Sequence, residues 1–285
     1  MKDIVLIPCW QRPEFLSICI EQILNAEGCE NYHYLFLLDR GFAPENLDII
    51  SSFPLDKTTL PRPKTVSGIG KQSMNLLEGY RWASEQDCQK VFLIEEDIMI
   101  ANDFFLWHEA IHSKEKVLCS IATENNNTPH TSTNDLEKYY EGSKMDFQSL
   151  GICWDRAALR DYIVPHATKD FYRNPRGYII QNFADSSMGG NFCEQDGLIR
   201  RVREKKCNLP VIFPDVPRAF HAGYYGYNRP STKIPRGNLH YKTEHLRTII
   251  FSKEKMLEHS INPSYYADSK PINLKNEKWL TQEKM

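Results

Sequence analysis

Three short runs, at residues 4–8 (IVLIP), 34–38 (YLFLL) and 91–94 (VFLI), are apolar at every position, not at alternate ones. A strand with one face in water alternates, whereas a strand apolar throughout is covered on both faces, as parallel strands are. Between the runs lie helical patterns. Pro13 opens one in which Phe15, Ile18, Cys19, Ile23 and Leu24 recur at helical spacing; 44–50 suggests a second and 71–84 a third. Strands alternating with helices predict an α/β unit, a central mostly parallel sheet flanked by helices. Crossovers between parallel strands are right-handed, and ligands collect at the carboxyl ends of the strands. Acids stand at two of those ends: Asp39 after the second run, and Glu95, Glu96 and Asp97 after the third.

The triplet carries a cost. Two like charges at contact repel by roughly 1 kcal/mol in water and about 4 at an effective dielectric near 20. A divalent cation, Mn2+ or Mg2+, would offset it, because hard oxygen donors at a strand mouth suit such ions and leave positions for phosphate oxygens and water. One carboxylate then suffices for the metal, and the other two can meet sugar hydroxyls. The plain alternative is a solvated strand-to-loop corner.

The chain of 285 residues is long enough for a sizeable core, and 41% hydrophobic with 25% charged residues places it in the ordinary globular class. A formal net charge of -2 offers no whole-molecule field for nucleic acid or an acidic lipid surface. The opening MKDIVLIPCW is too short an apolar stretch for a signal sequence, and no run of about 18 apolar residues predicts a transmembrane segment, so a cytoplasmic protein is expected. Eight cysteines lie scattered without a CxxC pair, which predicts buried free thiols.

The second half is less regular. It suggests a helix over 102–112, a strand over 117–122, a polar loop over 122–135, a strand in LGICW, a helix over 155–163 and an irregular connection to about Gly177. A basic helix over 194–205 precedes strands near 211–213 and 218–221. From Tyr224 the chain is rich in Tyr, Pro, Lys and Asn, with one helix near 244–257.

The run VFLIEEDIMIANDFF resembles the acidic motif of GT-A fold glycosyltransferases, most closely the N-acetylglucosaminyltransferase I type, in which an apolar strand, an acidic triplet, an apolar segment and Asp-Phe-Phe follow in this order. The opening IVLIPCWQRPEFLSICIEQIL is similar to the first strand and helix of that fold, FQSLGICWDRAAL to its acceptor-side segment, and NFCEQDGLIRRVREKK to the helix start that carries a catalytic base. The resemblance implies a Rossmann-like GT-A domain over 1–225, with a nucleotide-sugar half (1–122) and an acceptor half (123–225), and a wrapping extension over 226–285. It implies a nucleotide-diphosphate sugar donor, a UDP-sugar foremost, and a hydroxyl acceptor. Asp97 matches the metal-binding aspartate, and Glu95 and Glu96 match positions that touch sugar and ribose. Asp39 stands where the fold often sets an acid against the nucleobase, and Arg12 and Lys71 become candidates for base or diphosphate. Lys71 lies in SGIGKQ, which fits neither a Walker pattern nor a dinucleotide fingerprint, so a plain turn is the simpler reading.

An inverting transfer needs a carboxylate to take the proton from the attacking hydroxyl. CEQDG offers Glu194 and Asp196 with Gln195 between them, and both stay open; helix-start capping is the bland alternative. His221, just after a run read as a strand, is a candidate second metal ligand or diphosphate contact, and equally a core histidine. Tyr224, Tyr225 and Tyr227 suggest a lid or packing. The acceptor is either a glycan or surface precursor, or a hydroxymethylated base in DNA; the basic stretches RRVREKK and 229–255 would then meet phosphates, against the simpler reading of solvated faces. A nucleotidyltransferase and a non-catalytic binding module of the same fold are the competing functions.

Overall fold

The structure is a computed structural model that describes residues 2–61, 71–123, 139–143, 146–183, 195–223 and 238–250. Strand β1 (Asp3–Cys9) leads through α1 (Pro13–Asn25) to β2 (Tyr32–Leu38), then through α2 (Glu45–Ser52) to β3 (Lys57–Pro61) and through α3 (Lys71–Ser84) to β4 (Lys90–Leu93). These four strands are parallel and lie in the order β3-β2-β1-β4. The chain therefore winds outward from β1 in one direction, then crosses back to place β4 on its other side. That reversal opens a crevice at the carboxyl ends of β1 and β4, where a doubly wound sheet binds its ligand.

Beyond β4 the sheet continues as β8-β6-β9-β7. Here β6 (Cys119–Ile121) and β9 (Val211–Pro214) are parallel, while β8 (Ile152–Asp155) runs antiparallel to both β4 and β6, and β7 (Tyr139–Glu141) antiparallel to β9. Successive side chains of β1 enter opposite cores. Val5 and Ile7 pack with Phe15, Ile18 and Cys19 of α1 and with Phe104 and Phe105 of α4 (Phe104–Lys114). Ile4 and Leu6 pack with Leu76, Leu77 and Tyr80 of α3 and with Leu198 and Ile199 of α8 (Gln195–Lys205). Both faces are dry, which is why these strands carry no alternation. Gly79 lets α3 come close: a Cβ there would meet Leu37 Cδ1 at 2.6 Å.

Several expectations shift. Between the helices read at 44–50 and 71–84, where no strand was expected, lies β3, whose Lys57, Thr58 and Thr59 are partly or fully exposed at the sheet edge, so no apolar run announces it; Pro61 is tolerated there at the strand end. The apolar segment after the triplet is strand β5 (Ile98–Ile100), paired antiparallel with β10 (Ala219–His221). The helix read over 155–163 is present and changes type along its length: α5 (Arg156–Ala158) runs without a break into a π-helical stretch, Leu159–Ile163, and a 3-10 turn, Val164–His166. The connection read to Gly177 holds α6 (Lys169–Arg173) and α7 (Pro175–Phe183); Pro175 starts a helix where it suggested a break. The last described helix, α9 (Leu239–Ile250), begins before the stretch read from the sequence, and it packs on α1 through Leu246 and an Arg247–Glu21 ion pair. Most of the polar loop at 122–135, the three tyrosines and residues beyond 250 lie outside the described residues. Seven described cysteines are free and buried, as expected; Cys193 lies outside.

The basic helix α8 turns inward. Arg203, 2% exposed, donates from Nη1 to the Ser143 and Asp146 carbonyls at 2.7 and 2.6 Å and from Nη2 to the Gly142 carbonyl at 3.3 Å. Arg200 donates to the Phe147 carbonyl at 2.7 Å, Arg201 pairs with Glu204 at 2.7 Å, and Lys206 lies over the Phe183 ring. Within the stretch read as solvated or phosphate-binding, Arg200 and Arg203 instead hold down the chain before β8, while Lys205 and Lys206 stay exposed as a solvated face would. Arg203→Met strands two buried carbonyls and one partly buried one, and urea unfolding is expected to register a loss of about 3 kcal/mol. An unchanged midpoint would mean that those carbonyls find water.

No described helix is long and apolar enough to cross a membrane.

Candidate active site

The crevice between β1 and β4 is where the acids gather. Backbone geometry sets their directions: Ile94 N–H donates to the Leu6 carbonyl at 3.0 Å, continuing the sheet, and Ile98 N–H closes a turn on the Glu95 carbonyl at 2.9 Å. The turn is clamped from behind by β10. His221 pairs with Ile98, and Ala222 N–H donates to the Asp97 carbonyl at 2.8 Å. Asp103 of the Asp-Phe-Phe triplet takes part in the same clamp, pairing with buried Arg218 at 3.4 Å.

Arg12, the residue before α1, reaches into the turn. Its Nε donates to Glu96 Oε1 and its Nη1 to Asp97 Oδ2, each at 2.7 Å. Trp10 N–H donates to Glu96 Oε2 at 3.0 Å. Part of the compensation that the sequence reading assigns to a metal thus comes from a guanidinium. Burial tends to raise Asp97, but Arg12 and then His221 outweigh it and hold the carboxyl well below the ordinary range. Glu96 goes the other way: burial raises it, Arg12 and the Trp10 N–H offset only part, and it settles at about 7. Glu95 is raised by burial and then by the charges of Asp97 and Asp196, with Arg12 opposing. The repulsion is thereby divided, with one carboxylate firmly ionised and two that bind protons easily.

His221 Nε2 lies 2.9 Å from Asp97 Oδ2, so the two residues read as metal candidates, 124 positions apart, are in contact. Asp97 Oδ1 is buried and has no hydrogen-bond partner among the described residues. Gly223 flanks the pair: a Cβ there would sit 2.7 Å from His221 Nε2 and 2.8 Å from Asp97 Oδ2. An unpartnered carboxylate oxygen, an imidazole beside it and a cradle that a methyl would fill suit a divalent cation that takes few ligands from protein and the rest from phosphate and water. Among the described residues no cluster of three or more His, Cys, Asp or Glu side chains surrounds one metal position. Gly223→Ala pushes the imidazole and carboxylate apart; calorimetric titration with Mn2+ is expected to find affinity reduced roughly tenfold or more, by analogy with losses around metal ligands, while the fold persists. Unaltered Mn2+ affinity would remove the pair from consideration.

Across the crevice, Asp196 in the first turn of α8 accepts from the Ser149 hydroxyl on Oδ1 and from the Ser149 N–H on Oδ2 at 3.4 Å. Burial raises its carboxyl, with the Ser149 hydroxyl, Arg200 and the Ser149 N–H pulling it back. Gln195, which interrupts the acid pair in the sequence, faces α3: its N–H donates to Ser73 Oγ at 3.1 Å and its Oε1 accepts from that hydroxyl at 2.8 Å. Glu194 and the Lys71 side chain lie outside the described residues. Asp39 follows β2 beside the same crevice, its N–H on the Cys9 carbonyl and its Oδ1 accepting from Arg40 N–H.

Sequence reasoning passed over Trp10, Ser149 and Gly223. Trp10 is 36% exposed, yet its backbone is held at both ends, by Glu96 on the N–H and by Asn46 Nδ2 and Ala43 N–H on the carbonyl. An aromatic residue directly after the first strand was the available signal. For Ser149 none existed, because Asp196 is distant in sequence; Gly223 stands two residues from His221, but its closeness to Asp97 is a contact across a long separation.

No protein-family model matches the chain, and no curated protein matches it. Solved structures do. S. aureus TarS 1–349 in complex with UDP-GlcNAc superposes with a TM-score of 0.54 at 11% identity, over 98% of this chain and 78% of that one. The same TarS region in complex with UDP gives 0.50 at 12% identity, over 95% and 76%. The chain has a GT-A fold. At such identity the likeness concerns architecture alone.

Proposed function

We propose that the protein is a glycosyltransferase that moves a sugar from a nucleotide-diphosphate sugar, a UDP-sugar foremost, to a hydroxyl acceptor, with inversion. The observation that carries this is the meeting of Asp97, His221, Arg12 and Glu96 at the sheet's switch point, with Asp196 facing them from α8. TarS, similar in fold, is solved with UDP-GlcNAc and with UDP, which supports the donor class. The order of motifs like that of the N-acetylglucosaminyltransferase I type supports inversion.

Asp97 and His221 would hold Mn2+ or Mg2+. When bound, the cation supplies positive charge against the diphosphate as the sugar–phosphate bond breaks. Arg12 keeps Asp97 ionised and aimed, and fixes Glu96 beside Trp10. Glu95 and Glu96, which bind protons readily, can both donate to and accept from sugar or ribose hydroxyls. Asp39 and Trp10 flank the space next to β1 and β2 in which the base would lie. Asp196 takes the proton of the acceptor hydroxyl as its oxygen forms the new bond to the anomeric carbon. Residues 1–122 are then the donor half and 123–225 the acceptor half. With Arg200, Arg201 and Arg203 committed to protein partners, a glycan or surface-precursor hydroxyl is favoured over a base in DNA.

A panel of nucleotide sugars, each with and without Mn2+, tests this by thermal shift: one donor is expected to stabilise the protein only when Mn2+ is present. A folded protein that responds to no donor would reduce the crevice to a structural corner and favour the binding-module reading.

A further inference from the structure

Ser149, 2% exposed, gives both of its donors to one carboxylate, the hydroxyl to Asp196 Oδ1 and the N–H to Asp196 Oδ2. Neither residue is free to drift. The stretch before β8 is pinned by Arg200 on the Phe147 carbonyl and by Arg203 on the Ser143 and Asp146 carbonyls. The start of α8 is pinned from its other side, where Gln195 and Ser73, 5% and 2% exposed, exchange two hydrogen bonds. Asp196 is therefore the meeting point of two rigid attachments, and Ser149 is the side chain that touches it.

We infer that Ser149 is a positioning residue for Asp196, fixing the carboxylate in one orientation and making Oδ2 the oxygen that receives the acceptor's proton. The inference rests on the reading of Asp196 as the base. A carboxylate has two equivalent oxygens and turns about its last bond, so an unheld base spends much of its time misaimed. A hydroxyl on Oδ1 breaks that equivalence. Among the described residues Oδ2 accepts only the long Ser149 N–H bond, which leaves lone-pair capacity for an incoming hydroxyl. Among the described residues, the charged and titratable groups around Asp196 are Glu95 from the acidic turn, Tyr80 from α3 and Arg200 one turn along α8. Ser149 adds to these the two hydrogen bonds that favour the ionised form.

The test compares wild type with Ser149→Ala and Ser149→Thr, the latter keeping a hydroxyl, and has two readouts. The first needs no activity: the Asp196 carboxyl is titrated by 13C NMR of aspartate-labelled protein, its resonance identified by its loss in Asp196→Asn. The second is the pH profile of sugar transfer or donor hydrolysis. Ser149→Ala is expected to raise the Asp196 pKa by about one unit, the scale of a hydrogen bond to a charged group. The acid limb of the kcat profile should move up with it, the plateau kcat should fall roughly tenfold, and KM for the donor should stay within about twofold. Ser149→Thr is expected to restore both the pKa and the limb. An unmoved Asp196 pKa in a folded Ser149→Ala protein overturns the positioning claim. A pKa that moves while the acid limb stays overturns Asp196 as the base and with it any catalytic meaning of the contact.

Discussion

Asp97→Asn is expected to abolish the Mn2+-dependent stabilisation that a UDP-sugar confers on the native protein. At a donor concentration of about 100 dissociation constants the wild type gains roughly 2.7 kcal/mol, and the variant should gain nothing. Asparagine keeps the volume of Asp97 but not its charge, so it holds a hard divalent cation far more weakly and forms no ion pair with Arg12. Transfer should fall on the order of 1,000-fold, since the leaving diphosphate loses its main source of positive charge. The ligand-free protein should also be weakened. Arg12 keeps Glu96, so the cost belongs at the lower end for a broken buried ion pair, about 3 kcal/mol. Its pH dependence has a definite sign. Because Asp97 is held well below the ordinary carboxylate value, its contribution is present above about pH 4 and is lost as pH falls through the lower, folded value. The stability gap between wild type and Asp97→Asn, followed by urea unfolding in EDTA, should therefore narrow as the pH falls below about 4. A donor-induced shift that survives in the variant would remove Asp97 from the metal site.

The first half of the chain was legible because its physics is local. Runs such as 4–8 and 34–38 had to be doubly covered strands, and Pro13 marked a helix start, so β1, α1, β2 and β4 followed from periodicity. Acids after β2 and β4 could be placed at the strand mouths from the same argument. What periodicity could not supply was contact across long separations. Nothing in the neighbourhood of Arg12 foretells that it lies against Glu96 and Asp97, and the cation that the triplet required was sought outside the chain when one stood 84 and 85 residues away. Arg203 misled for a related reason: a charge on a helix reads as solvated until the carbonyls that need it are located. β3 and β7 stayed hidden because edge strands are half exposed and carry no apolar run. Gln195 looked like a flaw in an acidic pair and is a buried link to α3, which leaves Asp196 as the acid whose surroundings can be described.

Asp196→Asn should separate chemistry from binding. The substitution preserves shape and can still accept from Ser149, but an amide oxygen does not take up the hydroxyl proton, so kcat is expected to fall between about 100-fold and 10,000-fold. Donor affinity, measured by the same Mn2+-dependent thermal shift, should change by no more than about twofold, because Asp196 stands across the crevice from the Asp97–His221 pair. Glu194→Gln, by contrast, should leave most of the activity. The raised carboxyl of Asp196 suits proton abstraction, because a base whose pKa lies closer to the working pH takes a proton with more driving force than an ordinary aspartate does. The acid limb of the wild-type kcat profile should accordingly stand above the usual aspartate value. Product configuration supplies the remaining check. A single carboxylate acting on the acceptor, with no nucleophile attacking the sugar from the enzyme, gives an inverted anomeric centre, which NMR of the product reads directly. Retained configuration, or an Asp196→Asn enzyme that turns over normally while Glu194→Gln does not, would transfer the role of base away from Asp196 and leave its contact with Ser149 a matter of packing.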